Sequence, residues 1–347
     1  MNKIQESMLQ VYEQVKYICE ANNLRFFAAG GTKIGAVLWN GIIPWDDDID
    51  LVMPLEDLNQ LVKILSNDTF ENIGVFDGIN APYSDIVGVK VFDKRTMFTS
   101  HNLLNRPEAF TGVFVDIFPM IGSPNTNEDF VAEINTIRDE LFKKRLFGDS
   151  IEENLSLVEK LKEVIVRYPF DESEIVINVA NPSAESFSRR EFLDVIHMPF
   201  ESTEIPVSSF YDAHLRQQYG FYTKDWPEDM RIGSHEDFAL VDLNHSVQFY
   251  RDSIANSPIQ NYIVKMSGIK SNLESQIFAI DDRRKELEIV NEQLELKKQQ
   301  LVVENEKLVL EIASTNNYVE ELLTSTSWRI TKPLRKFSAL IKQYLKG

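Results

Sequence analysis

A seven-residue period governs the chain from Leu273 to Leu322, and it restricts the possible folds more than any other feature of the sequence. Leu273, Ile280, Leu287, Leu294, Leu301, Leu308, Thr315 and Leu322 recur at heptad position d, and Ile277, Arg284, Asn291, Lys298, Asn305, Ile312 and Val319 fall at a. A long surface helix packed on a globular domain is the alternative. Against it, the apolar stripe is the narrow a/d seam, and the surrounding face reads as Glu, Lys and Gln. The spacing therefore predicts a coiled coil over 273–323. Asn291 and Asn305 at a favour a parallel dimer in fixed register, because buried amides satisfy each other only when aligned. Residues 273–322 would extend roughly 75 Å at 1.5 Å per residue, making the segment both a dimeriser and a spacer.

A chain of 347 residues is long enough to carry one sizeable core besides this rod. Residues 1–250 alternate helical and strand-like stretches and predict an α/β domain, with 251–272 as a linker. A helix runs to Asn22, a strand covers 24–29, and a second helix follows Thr32. Further strands are expected near 49–53, 87–92 and 113–118, with a helix over 55–65. Pro119 and the Ser123-Pro124-Asn125 cluster mark a turn after the last of these strands.

Composition removes several function classes. Cys19 is the single cysteine, which excludes an intrachain disulfide and any thiolate zinc cluster, and it reads as core packing. His101, His197, His214, His235 and His245 include no HxxxH pair, so a bound metal must rest on carboxylates. No run approaches the roughly 18 apolar residues of a membrane-spanning helix, and the amino end lacks a signal-peptide layout, so a cytoplasmic location is expected. The net charge of −18 argues against nucleic acid.

That charge is unevenly spread. Arg329, Lys332, Arg335, Lys336, Lys342 and Lys346 lie in the last nineteen residues with no acid among them, so removing these six positive charges leaves −24 on the rest. Leu334, Phe337, Leu340, Ile341, Tyr344 and Leu345 share one side of a short helix. With Trp328 at its start, residues 327–347 read as a basic amphipathic tail suited to an anionic membrane surface. A tail helix docking on the same protein is the alternative.

The chemistry concentrates in two neighbouring runs. Phe27 to Gly35 takes a strand through Gly30-Gly31 into a helix, leaving free N–H groups at a helix start and room for a phosphate. Ile43 to Met53 follows, and strand alternation would put Asp46, Asp48 and Asp50 on one face with Ile49 and Leu51 on the other. Crowded like charges repel unless a cation sits among them, which points to a hard metal, Mg²⁺ or Mn²⁺. An acidic surface loop is one alternative. An EF-hand loop is another, but it would need glycine where Leu51 stands and glutamate where Asp57 stands.

The run Gly30-Gly31-Thr32-x-x-Gly35, then Gly41-x-Ile43-Pro44-Trp45-Asp46-Asp47-Asp48-Ile49-Asp50, resembles the signature of the LicD family, which includes the fukutin-type proteins. Val113 to Pro119, Met198-Pro199-Phe200, Ile205-Pro206 and Gln218-Tyr219-Gly220 extend the resemblance. It implies a nucleotidyltransferase-like mixed sheet with flanking helices and a CDP-linked alcohol donor such as CDP-choline or CDP-ribitol. The acceptor would be a glycan hydroxyl, on a bacterial surface polysaccharide or a lipid-linked glycan, with CMP released. It also implies that Asp48, Asp50 and Asp116 are the catalytic and metal-binding residues, with Asp116 or a metal-bound water as the base. A structural ion pair is the alternative role for Asp116. Gly30, Gly31, Thr32, Lys33, Asp46 and Lys90 are the expected donor contacts, although a solvated surface position is the alternative for either lysine. The chain departs from the family pattern at Leu38 and Trp39, where a basic residue often stands.

The short run Ser327 to Arg335 is similar to a stretch near the ends of bacterial polysaccharide glycosyltransferases. Together these readings predict a phosphotransferase held as a dimer on the inner face of the cell membrane. The competing reading is an inactive domain of the same family serving as a membrane-tethered dimeric scaffold in polysaccharide assembly.

Overall fold

Strand alternation sorts the α/β part of the chain onto two faces of one sheet. The computed structural model describes all residues except 68–69, 101–102, 105, 148–149, 228–230, 232–237, 256–259 and 345–347. His101, His235, Leu345 and Lys346 thus lie outside the described residues. In chain order the elements are α1 (Lys3–Ala21), β1 (Phe27–Ala28), α2 (Gly30–Trp39), β2 (Asp50–Pro54), α3 (Leu55–Leu65), β3 (Ile73–Asp77), β4 (Val89–Asp93), β5 (Met97–Ser100) and β6 (Phe114–Ser123). There follow α4 (Glu128–Phe147), α5 (Ile151–Ile165), β7 (Ile175–Asn178), β8 (Ser186–Ser188), β9 (Val195–Phe200), β10 (Thr203–Ser208), α6 (Tyr211–Tyr219) and β11 (Phe238–Asp242). The chain continues as α7 (Val247–Ala255), α8 (Gln260–Thr324), α9 (Thr326–Ile330) and α10 (Lys332–Tyr344). Much of the expected 251–272 linker is therefore helical. The chain divides into two compact units, Met1–Ser275 and Gln276–Gly347.

In the first unit the main sheet has the order β1-β2-β6-β4-β3, with β7 paired to β6 and β8 to β7. The β2–β6 pair is parallel and its neighbours are antiparallel, so the sheet is mixed, as the sequence predicts. On one face Leu51 and Met53 of β2, Val89 and Val91 of β4, and Val115 and Ile117 of β6 join Met8, Val11, Tyr12 and Val15 of α1 and Leu58 and Leu61 of α3 in the principal core. The residues between them point the other way: Val52 and Met120 pack with Phe27, Phe170, Phe187 and Phe192 in a smaller cluster. That second face also carries Asp50, Lys90 and Asp116.

Two strands differ from expectation. The first strand keeps only Phe27–Ala28, because the Arg25 backbone N–H is taken by the Asp57 carboxylate at 3.1 Å instead of a strand neighbour. The sixth runs through Pro119 to Ser123 rather than turning at the proline. Asp116 N–H donates to Ile49 O, just before β2, so position 119 faces the opposite side, where pairing passes from β4 to β7. There the missing proline N–H costs no ladder bond.

In the second unit, Leu287, Leu294, Leu301 and Leu308 of the heptad seam stand exposed. The rest of the helix is less uniformly polar than the heptad reading expects, since Ile289, Leu296, Val303 and Leu310 are exposed as well. In the tail, the Arg335 guanidinium lies 3.4 Å from the centre of the Trp328 ring and donates to Thr331 Oγ1 at 2.6 Å. Leu334, Phe337, Leu340 and Ile341 are exposed. Among the described residues no helix is long and apolar enough to cross a membrane.

Candidate metal and phosphate site

The site grows from the crossing of β1, α2 and β2. Ala29 N–H donates to Asp50 O, and Asp50 N–H donates to Thr32 Oγ1 at 2.8 Å, so the start of α2 is fastened to the start of β2. The paired glycines create the space. A Cβ on Gly30, whose φ is +48°, would sit 3.0 Å from Asp50 Oδ2, and one on Gly31 would sit 2.9 Å from Asp46 Oδ2. Any larger residue at either position would displace a carboxylate. Gly35 has a different purpose, since its Cβ would fall 2.4 Å from Gly41 O, where the loop after α2 doubles back.

Asp46, Asp47 and Asp48 precede the strand rather than belonging to it, because β2 begins at Asp50. The buried Gln5 of α1 explains the irregular path: its Nε2 lies 3.2 Å from Ile43 O, 3.3 Å from Pro44 O and 2.9 Å from Asp46 O. The loop carbonyls are thus satisfied by a side chain instead of a neighbouring strand. Held this way, Asp46, Asp47 and Asp48 each bring one carboxylate oxygen within 4.8 Å of the others. Asp48 is buried, which does not suit an acidic surface loop, and the run enters a strand rather than an EF-hand helix.

Strand register supplies the rest. Asp50 pairs with Asp116 across β2 and β6, and Asp116 pairs with Lys90 across β6 and β4, so the three form one row across the sheet. Both expected lysines are buried rather than solvated. Lys90 Nζ lies 3.2 Å from Asp116 Oδ1, 3.8 Å from Asp85 Oδ1 and 3.6 Å from the centre of the Phe114 ring. It faces Asp116 as an internal counter-ion. Lys33 points elsewhere, with Nζ 5.8 Å from the Phe187 ring centre; burial pulls its pKa down to about 8, opposed by Glu185.

Three further groups carried weak or no sequence signal. Glu185 is buried beside Lys33 and hydrogen-bonded to Asn178 and Gln218, and burial raises its pKa. Tyr219 Oη would lie 3.7 Å from a Cβ on Gly30, beside the Asp50 carboxylate. Burial first, then Glu185 and Asp50, push the Tyr219 hydroxyl's pKa upward. The exposed cations Lys224 and Arg231 stand 5.6 and 5.5 Å from the ring centres of Trp39 and Trp45, which themselves pack edge to face at 5.7 Å. Positive charge thus reaches the surface around Trp39 from a distant segment, although Leu38 and Trp39 carry none.

Asp46, Asp47 and Asp48 stand close enough to share a divalent cation, whereas Asp50 and Asp116 lie in the neighbouring row outside that group. Asp116 Oδ1 is buried and makes no hydrogen bond despite the nearby ammonium. Burial, followed by Asp48 and Asp116, holds the Asp50 pKa well above the carboxylate range. Burial pushes Asp116 up to about 6, with Lys90 opposing. All of these are conditions that a cation would relieve.

A pH dependence follows. Both carboxyls bind protons more tightly in the folded chain than in the unfolded one, so they stabilise the metal-free fold in acid. That contribution is lost as pH rises through about 6 for Asp116 and through a raised value for Asp50. In EDTA, the calorimetric Tm of the wild type should fall between pH 5 and 7.5 more steeply than that of an Asp50→Asn/Asp116→Asn variant. Added Mn²⁺ should remove most of the difference, and parallel curves throughout would refute this origin.

In comparison with known proteins, residues 23–147 match the protein-family model described as LicD/FKTN/FKRP, nucleotidyltransferase domain. The chain is 26% identical over 263 residues to the lipopolysaccharide cholinephosphotransferase LicD of Haemophilus influenzae, covering 67% of this chain and 95% of that protein. Uncharacterized proteins of Rickettsia prowazekii and Rickettsia typhi are 37% and 34% identical over 68 residues, which is 20% of this chain and 25% and 21% of theirs.

Proposed function

Residues 23–147 form a LicD-family nucleotidyltransferase domain, and from that premise we propose that this chain is a divalent-metal-dependent phosphotransferase. In this reading it moves a phospho-alcohol group, phosphocholine or a polyol phosphate, from a CDP-linked donor to a hydroxyl of a surface polysaccharide or lipid-linked glycan. The observation that carries the reading is the row Asp50–Asp116–Lys90 beside the Asp46–Asp48 loop, on the face opposite the principal core. The Haemophilus influenzae relative, a lipopolysaccharide cholinephosphotransferase by name, supports the choice of donor and acceptor.

Asp48, Asp50 and Asp116 would hold Mg²⁺ or Mn²⁺, which when bound supplies positive charge to the donor diphosphate and the leaving CMP. Asp46 completes the acidic wall, while Gly30, Gly31 and Thr32 leave the start of α2 open to a phosphate. Lys33 and Glu185 shape the inner edge. Lys224 and Arg231 offer exposed charge for the donor. Asp116 would also accept the acceptor hydroxyl's proton as the oxygen attacks phosphorus. Lys90 keeps Asp116 oriented. To test the reading, purified protein with CDP-choline labelled in the choline would be incubated with lipopolysaccharide. Label should enter the glycan with wild-type protein and divalent metal and remain in the donor with EDTA.

The carboxyl-terminal segments fit an enzyme that works at a membrane. The exposed leucine seam of α8 suits a second copy, giving a parallel dimer, and each dimer then presents two basic tails. Basic residues near an anionic leaflet contribute about 1 kcal/mol each. Full-length protein should float with anionic vesicles and be released by high salt, whereas deletion of Trp328 to Gly347 should leave it in the soluble fraction. Equal flotation of the deleted form would rule the tail out as the anchor.

A further inference from the structure

The second apolar stripe of α8 has no use in the reading above. Ile289, Leu296, Val303 and Leu310 recur every seven residues and are 57%, 62%, 65% and 71% exposed. In the heptad register that places Leu287, Leu294, Leu301 and Leu308 at d, these four occupy f. With seven residues in two turns, f lies roughly 180° from the middle of the a/d seam. A dimer built on that seam therefore leaves one such stripe on each outer flank.

The period identifies the kind of partner. Along a straight helix a strict seven-residue stripe drifts by about 20° per heptad, so it suits a flat protein surface poorly. In a helix supercoiled by its a/d seam the same stripe keeps its place in the superhelical frame, and what fits along it is another heptad helix.

Charge then favours a second copy of the same helix. Lys285 and Glu306 flank the stripe at the same heptad position, b, and both are exposed. An antiparallel copy centred on Leu296 sets Ile289 against the partner's Val303 and Leu296 against the partner's Leu296. It also brings Lys285 beside the partner's Glu306, twice by symmetry. A parallel, in-register copy leaves Lys285 and Glu306 roughly 32 Å apart along the rod but sets Lys285 beside the partner's Glu286 and Glu306 beside the partner's Lys307, so opposite charges meet in either orientation.

We propose that the f stripe of α8 is a second self-association surface, on which dimers of this chain join through Ile289, Leu296 and Val303 into assemblies of at least four chains. The proposal rests on the a/d dimer described above, and the experiment separates the two.

Light scattering on the full-length protein should give a mass of at least four 40.0 kDa chains. The triple variant Ile289→Gln, Leu296→Gln, Val303→Gln, with its helix content checked by circular dichroism, should fall to a dimer. An unchanged mass in the triple variant would overturn the proposal, as it would if the tail helix or another protein covered the stripe. A wild type no larger than a dimer would overturn it too. If that dimer survives in the triple variant, the a/d reading stands alone; if it becomes a monomer, the f stripe is the dimer interface and the a/d reading fails. Orientation has its own readout. Full-length Ile289→Cys and Val303→Cys chains, tagged to differ in size, mixed and oxidised, should form disulfides across the stripe, mixed in an antiparallel pair and same-variant in a parallel one. No disulfide of either kind would overturn the proposal.

Discussion

Asp48→Ala and Asp50→Ala should each lower phosphotransfer on the order of 10³-fold or more while leaving the fold intact. A bound metal's charge stabilisation contributes several kcal/mol to a phosphoryl-transfer barrier, and each factor of ten in rate corresponds to about 1.4 kcal/mol. Stability should move the other way. Asp50 sits among Asp48, Asp116, Asp46 and Glu185, and burial together with those charges already holds its carboxyl protonated above the usual range. Removing a carboxylate from that group relieves repulsion, so the metal-free Tm should be unchanged or higher. CMP release and calorimetry on the same samples would check both halves. A variant that loses activity together with its fold would say nothing for the metal centre and would count against this account of the repulsion.

Lys90→Met should have the opposite signature, a large loss of stability. The wild-type pair is buried on both sides, with Lys90 Nζ 3.2 Å from Asp116 Oδ1. Removing the ammonium leaves a carboxylate in a dry site, for which about 3–5 kcal/mol is the usual cost. For a unit of 275 residues, at about 2.1 cal/mol/K per residue, that corresponds to a fall in Tm of roughly 5–9 °C. The penalty should depend on pH, because Asp116 can escape it by taking a proton. Its pKa is already about 6 with Lys90 present, so without the lysine the carboxyl should remain neutral to higher pH. The loss should therefore be smaller at pH 5 than at pH 8. Chemical denaturation at the two pH values would measure it, and equal losses would indicate that Lys90 matters only for packing.

The parts of the site legible in the sequence are those whose partners are close along the chain. Gly30-Gly31 and the aspartates up to Asp50 lie within one short stretch, and the acid density there already implied a cation. The parallel pairing of Asp50 with Asp116 was accessible only through family resemblance, since no local spacing encodes the register of β2 against β6. The setting of Lys90 was not legible, because charge alone cannot distinguish a lysine that reaches a ligand from one sealed against Phe114 and Asp116. Gln5 gave no signal. A glutamine on an amphipathic helix reads as surface, and only the return of residues 43–46 beneath α1 makes it the anchor of the acidic loop. Glu185 and the Lys224 and Arg231 cations likewise arrive by tertiary packing. In the fold, Pro119 misled because its acceptability depends on which edge of β6 it faces. In α8 the leucines at d draw the eye to one apolar face, whereas Ile289, Leu296, Val303 and Leu310 form a second exposed stripe that a heptad pattern does not require.

The most direct test of the central claim is CMP release by purified full-length protein with Mn²⁺ across a panel of CDP-linked alcohols, run beside Asp48→Ala and Asp50→Ala. The account predicts CMP from at least one donor, abolished by EDTA and by either substitution. No CMP from any donor, or near-normal CMP from both variants, would contradict it and favour a catalytically silent scaffold.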